Sequence, residues 1–138
     1  MILTDLRGVP LSTDVNGALP AATTGQAVDY LVAEVRNVDP SKSFSGGRLW
    51  IVADPTGGGF AVAVLDAVAR ATGYSYSGIA PASGSYSSPT TSATGLVLPT
   101  LAAGTKCRVA VRRDVTTVTT YPTDGVERNS VRVTGSLA

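Results

Sequence analysis

The stretch Leu101-Ala-Ala-Gly-Thr-Lys-Cys-Arg-Val-Ala-Val-Arg-Arg-Asp114 decides the fold. Cys107, Val109 and Val111 alternate with Arg108, Ala110 and Arg112. That two-residue period belongs to a strand with one dry face and one wet face. Moving outward, Val131 and Val133 repeat the alternation against Arg132 and Thr134. Leu96 to Leu98 is a short apolar run, and the bend from Pro99 to Gly104 follows it. Residues 115–121 alternate valine and threonine loosely, as an edge strand would. Pro122-Thr-Asp-Gly125 then reads as a turn.

Upstream, Arg-Leu-Trp-Ile-Val-Ala at 48–53 and the apolar run at 60–65 flank Asp54-Pro-Thr-Gly-Gly-Gly59. Two apolar runs around such a cluster predict a hairpin. The glycines are no phosphate loop, because the lysine and hydroxyl that complete one are missing. Trp50 is expected as a core anchor between sheets, with an interface anchor as its other role. Phe44, in the predicted loop 41–47, is expected to plug the end of the core. Residues 66–72 read as a helical turn or a strand. In residues 26–38, Val28, Leu31, Val32 and Val35 fit a helical stripe with Thr24 as cap. The same residues fit a strand with Ala27, Leu31, Ala33 and Val35 on its cleaner face. The strand is preferred because the following elements are β. Asn37-Val-Asp-Pro40 ends it in either case.

The chain has 138 residues, enough for one domain with a hydrophobic core. Its net charge of +1 aims no large field at nucleic acid or anionic lipid. Only 15% of residues are charged, which suits a surface partly covered by partners, and equally an ordinary Ser/Thr-rich β domain. With a single cysteine, Cys107, no disulfide can form within the chain. Cys107 lies on the dry side of its strand and reads as a small buried hydrophobe. The lack of histidine removes His-dependent triads and His-ligated zinc. No metal-ligand spacing and no linked pair of carboxylates is evident, so no catalytic residue, metal or cofactor is expected. The start does not read as a secretory leader, and no apolar run reaches membrane-spanning length.

Two segments resist a packed reading. Residues 1–26 are punctuated by Gly8, Pro10, Gly17, Pro20 and Gly25, yet carry Leu3, Leu6, Val9 and Leu11. They read as an arm that lies on its own domain or on a neighbour, with the β domain at 27–138. Residues 74–94 set Tyr74, Tyr76 and Tyr86 among Gly, Pro, Ser and Thr. Tyrosine gives rigid amphipathic contact area, and serine and glycine adapt around it. The candidate partner-binding residues are therefore Leu3, Leu6, Val9, Leu11, Tyr74, Tyr76 and Tyr86. Arg112 and Arg113 join them as polar contacts.

With the elements placed, a resemblance emerges. The run Tyr30-x-x-x-x-Val35-x-Asn37 followed by residues 48–53 resembles the early strands of small immunoglobulin-like modules in tailed-bacteriophage virion proteins. The Leu101-x-x-Gly104 turn before a strand ending in Arg112-Arg113 is similar to their later part. Residues 131–135 resemble their closing strand. The resemblance covers about two thirds of the chain, at the level of pattern, and explains neither the arm nor the tyrosine loop. It implies an all-β, immunoglobulin-like β-sandwich of about seven strands with an extended N-terminal arm. The implied function is a non-enzymatic virion protein assembled in the host cytoplasm. It would be a capsid decoration (cement) protein that binds the major capsid protein or other virion proteins. A homo-oligomer is expected, a trimer being one form open to it, with neither nucleic acid nor membrane as partner. A tail, neck or baseplate component is the alternative, and a carbohydrate- or receptor-binding module built on Trp50 and the tyrosines a further one.

Overall fold

The computed structural model describes residues 2–4, 28–52, 60–73, 80–114 and 130–138. These form eight strands: β1 (Ile2–Thr4), β2 (Val28–Arg36), β3 (Phe44–Val52), β4 (Phe60–Val64), β5 (Arg70–Ala71), β6 (Leu96–Val97), β7 (Thr105–Asp114) and β8 (Ser130–Leu137). One 3-10 turn, Pro81–Ser83, is the only helical element among the described residues. All strand pairs are antiparallel. The larger sheet runs β1-β2-β7-β4, with β5 also on β7, and the smaller runs β6-β3-β8.

The alternation that opens the sequence reading sets the packing. Cys107, Val109 and Val111 of β7 and Ala33 and Val35 of β2 point into the space between the sheets. Leu49 and Ile51 of β3 and Val131 of β8 meet them from the other side, and Phe44, Phe60, Val62, Leu98 and Leu101 fill the rest. Burial of such aliphatic side chains contributes roughly 1.5–3 kcal/mol each and is the main force closing the sandwich. β4 is buried on both faces because it is covered twice. Phe60 and Val62 face the inter-sheet core, while Ala63 joins Leu65 and Ala110 in a smaller cluster on the outer face. Small residues there let the 80–86 segment pass close. A Cβ on Gly84 would sit 3.3 Å from Ala63 Cβ and 3.2 Å from Leu65 Cδ2.

Residues 87–89 strap one side of the sandwich. Ser87 pairs with Val62 of the larger sheet, and the Pro89 carbonyl accepts from Ile51 N–H of the smaller one. Asn37 pins one end of the sandwich. It is fully buried, and its Nδ2 donates to the carbonyls of Lys42 and Leu101, both at 2.8 Å. Its Oδ1 accepts from Asp39 N–H. A buried corner where the chain leaves β2 needs such donors, since carbonyls shielded from water are costly unpaired.

The structure decides several expectations. Of residues 26–38, Val28–Arg36 form a strand, with Leu31, Ala33 and Val35 on the dry face as read, while Ala27 lies outside the described residues. β7 is central, as its pattern implied. Phe44 packs into the core as expected, but as the first residue of β3 and not from a loop.

Trp50 is not the core anchor. Leu49 and Ile51 take the dry face of β3, and strict alternation turns Trp50 outward, half-buried. The penalty of about 3–5 kcal/mol for truncating a buried indole does not apply to it. The runs at 48–53 and 60–65 are strands but not a hairpin, since β3 pairs with β6 and β8 while β4 pairs with β7. The seven residues between β3 and β4, 53–59, exceed the two to five of a tight hairpin. The turn expected at 54–59, the edge strand at 115–121 and the turn at 122–125 lie outside the described residues.

Cys107 faces the core with its thiol free. Burial first, and then the charges of Asp66 and Glu34, push the thiol from 9.0 up to about 12. A thiol reagent at pH 8 should leave the native protein unlabelled and react only on denaturation. Rapid labelling of the native protein would place Cys107 outside the core. The folded state holds a proton that the unfolded chain releases near pH 9. This site's contribution is therefore intact below about pH 9 and is lost as pH climbs toward about 12.

Candidate contact surfaces

β2 and β7 pair with Tyr30 opposite Arg112, Val32 opposite Ala110, Glu34 opposite Arg108 and Arg36 opposite Lys106. These four rows form the outer face of the larger sheet. The top row is aromatic and cationic. Tyr86, carried over the face by the 80–86 segment, packs on Tyr30 at 5.8 Å between ring centroids, tilted by 49°. Arg112 Cζ sits 4.7 Å from the Tyr86 centroid, a cation–π geometry that contributes roughly 0.5–2 kcal/mol. The Tyr86 hydroxyl donates to the Pro81 carbonyl at 2.8 Å, which fixes the ring. Burial, with the neighbouring Tyr30 adding to it and Arg112 opposing it, pushes the phenol up to about 12. Tyr86 therefore stays a neutral donor at physiological pH. Arg112 Nε is shielded from solvent with no hydrogen-bond partner, and Tyr30 remains 39% exposed.

The lower rows are ionic and buried. Glu34 accepts from Lys106 Nζ at 2.8 Å and from Arg36, whose NH2 lies 2.7 Å away. Asp66 accepts from Arg108 N–H at 2.7 Å and lies 3.6 Å from Arg108 Nε. The face of β7 expected to be wet is thus covered where Lys106 and Arg108 stand. These pairs hold the outer face together, since each buried charge has an opposite charge in reach.

Of the residues singled out from sequence, the structure brings Tyr86 and Arg112 together and adds Tyr30. Arg113 stands opposite Phe60 of β4 and Asp29 of β2, on the other face of the strand from Arg112. The two arginines therefore do not form one contact. Leu3 lies in β1, opposite Val35. Leu6, Val9, Leu11, Tyr74 and Tyr76 lie outside the described residues. Tyr30 was missed although its signal was present, because it alternates with the dry residues of β2 just as Arg112 does in β7.

The outer face of the smaller sheet is a second surface. The register sets Trp50 opposite Arg132, Arg48 opposite Val97 and Thr134, and Val52 opposite Ser130. Arg48 NH1 donates to the Gly95 carbonyl at 3.2 Å.

Among the described residues no group of three or more His, Cys, Asp or Glu side chains could hold a metal ion. No helix among them is long and apolar enough to cross a membrane. Comparisons with protein-family models, curated proteins and solved structures found no match.

Proposed function

We propose that this chain is a non-enzymatic structural protein of a tailed-phage virion, an immunoglobulin-like decoration subunit that binds the assembled shell and stabilises it through protein–protein contacts. The observation that carries this reading is β1. Residues 2–4 lie as an added strand on the edge of the larger sheet, against residues 34–36 of β2. Residues 5–27 separate β1 from β2, far more chain than a hairpin needs. Pairing by strand addition is a general way to join protein to protein, since main-chain hydrogen bonds supply affinity and alternate side chains supply specificity.

The phage-module resemblance supports the same reading. Its Tyr30-to-Asn37 run is β2 with its buried corner, and its Leu101-to-Gly104 turn leads into central β7, with Gly104 at a positive φ of 70°. The partner is the major capsid protein or another virion protein, and the subunit self-associates. A tail, neck or baseplate role uses the same strand and is separated from this one by location in the particle.

Purified protein mixed with shells that lack it should co-sediment with them and raise their resistance to heat. Deleting residues 1–20 should leave the domain folded and weaken binding at least tenfold. Shells that neither bind the protein nor gain stability from it would end the proposal.

A further inference from the structure

We propose that the outer face of the β6-β3-β8 sheet, centred on Trp50, docks an acidic, partly apolar segment of a partner protein. The proposal rests on the reading of the chain as a protein-binding subunit and names where one partner sits and what chemistry it carries.

The two outer faces handle charge differently. On the larger sheet, Arg36, Lys106 and Arg108 each lie against a built-in acid, Glu34 or Asp66. On the smaller sheet, β3, β6 and β8 set two cations outward, Arg48 and Arg132, and no described residue of these strands on that face is acidic. The register places them on diagonal positions around Trp50. Arg132 is directly opposite it, and Arg48 lies two residues before it in β3. Arg48 gives one nitrogen to the Gly95 carbonyl, which steadies its guanidinium, while Arg132 is exposed. Guanidinium forks are suited to carboxylates, which they bind bidentately.

Around the arginines the face mixes apolar side chains with the hydroxyls of Ser130 and Thr134. Val97 is 66% exposed and Val52 43% exposed. Trp50 Nε1 is shielded from water and has no hydrogen-bond partner. The indole therefore offers the face its apolar ring edge and not its N–H, and the polar recognition falls to the two arginines. Trp and Arg together are the residue types that most often dominate binding energy in protein interfaces. A nucleic-acid backbone fits less well, because two arginines in a chain of net charge +1 offer little to a polyanion and the valines offer nothing.

Trp50 is the only tryptophan, so its emission reports on this face alone. The full chain is titrated with a 20-residue peptide alternating glutamate and valine. The controls are a lysine–valine peptide and a single-stranded oligonucleotide. The expected result is a saturable emission shift with the acidic peptide only. Arg132→Gln should weaken it at least threefold, and Arg48→Glu with Arg132→Glu at least tenfold, at unchanged melting temperature. An emission that ignores the acidic peptide, or responds equally to the lysine peptide or more tightly to the oligonucleotide, overturns the proposal. The same titration with undecorated shells separates the two readings. Shell binding without an emission change overturns this face and leaves the decoration role standing. Acidic-peptide binding without shell binding supports the face and counts against that role.

Discussion

Replacing Glu34 by alanine should destabilise the domain by about 3–5 kcal/mol, the range seen when one partner of a buried ion pair is removed. Glu34 is 3% exposed and is the acid shared by Lys106 and Arg36. Lys106, itself buried, would be left without that carboxylate under the covered outer face of the sheet. The loss is larger than the net worth of the pair, because most of it is the desolvation of the cation left behind. For a domain of this size each kcal/mol shifts the melting temperature by about 3–6 °C, so the midpoint should fall by roughly 10–30 °C. Glu34→Gln keeps an acceptor for both neighbours and should recover part of the loss. Chemical denaturation at fixed pH measures both variants. A change under about 1 kcal/mol for Glu34→Ala would mean that Lys106 reaches water along its own stem.

Leu101→Ala should cost about 2–5 kcal/mol, the lost transfer energy of the side chain plus the cavity it leaves. Leu101 is 0% exposed and stands where the bend before β7 meets the start of β3. Its backbone exchanges both hydrogen bonds with Phe44, and its carbonyl also accepts from Asn37 Nδ2. Few neighbours can move to fill the gap without breaking that junction, so the value should lie in the upper half of the range. Val97→Ala, on the exposed face of β6, is the control and should stay within about 0.5 kcal/mol of the parent. Equal losses at the two positions would contradict the assignment of inside and outside.

Although β2 fitted a helical stripe as well and was settled by its β neighbours, the sandwich was legible because β7 and β8 carry two-residue alternation. The same rule already separated Trp50 from Leu49 and Ile51, since Arg-Leu-Trp-Ile-Val puts the indole with the arginine. An aromatic ring invites a core assignment, but position in the pleat outweighs residue size. Pairing was less legible. Adjacent strands in sequence often pair, yet β3 and β4 part to different sheets, and no residue in either run marks that choice.

The covered outer face could not be read at all. Lys106 and Arg108 look solvated in β7, and the segment that lies over the face, residues 80–86, has no periodicity to announce it. Nothing in the sequence spacing ties Glu34 or Asp66 to a cation; the fold sets Glu34 beside Lys106 and Arg36, and Asp66 beside Arg108. Asn37 read only as a strand breaker. Its role as a donor to two distant carbonyls depends on the corner that the fold builds around it.

Whether this chain is a shell subunit is decided by a density map of the native particle sharp enough to trace side chains. The expected result is the β-sandwich in many symmetry-related copies on the shell, with residues 2–4 at a strand edge. A particle whose shell carries no copy of the chain, or in which it is confined to the tail, would contradict the decoration role.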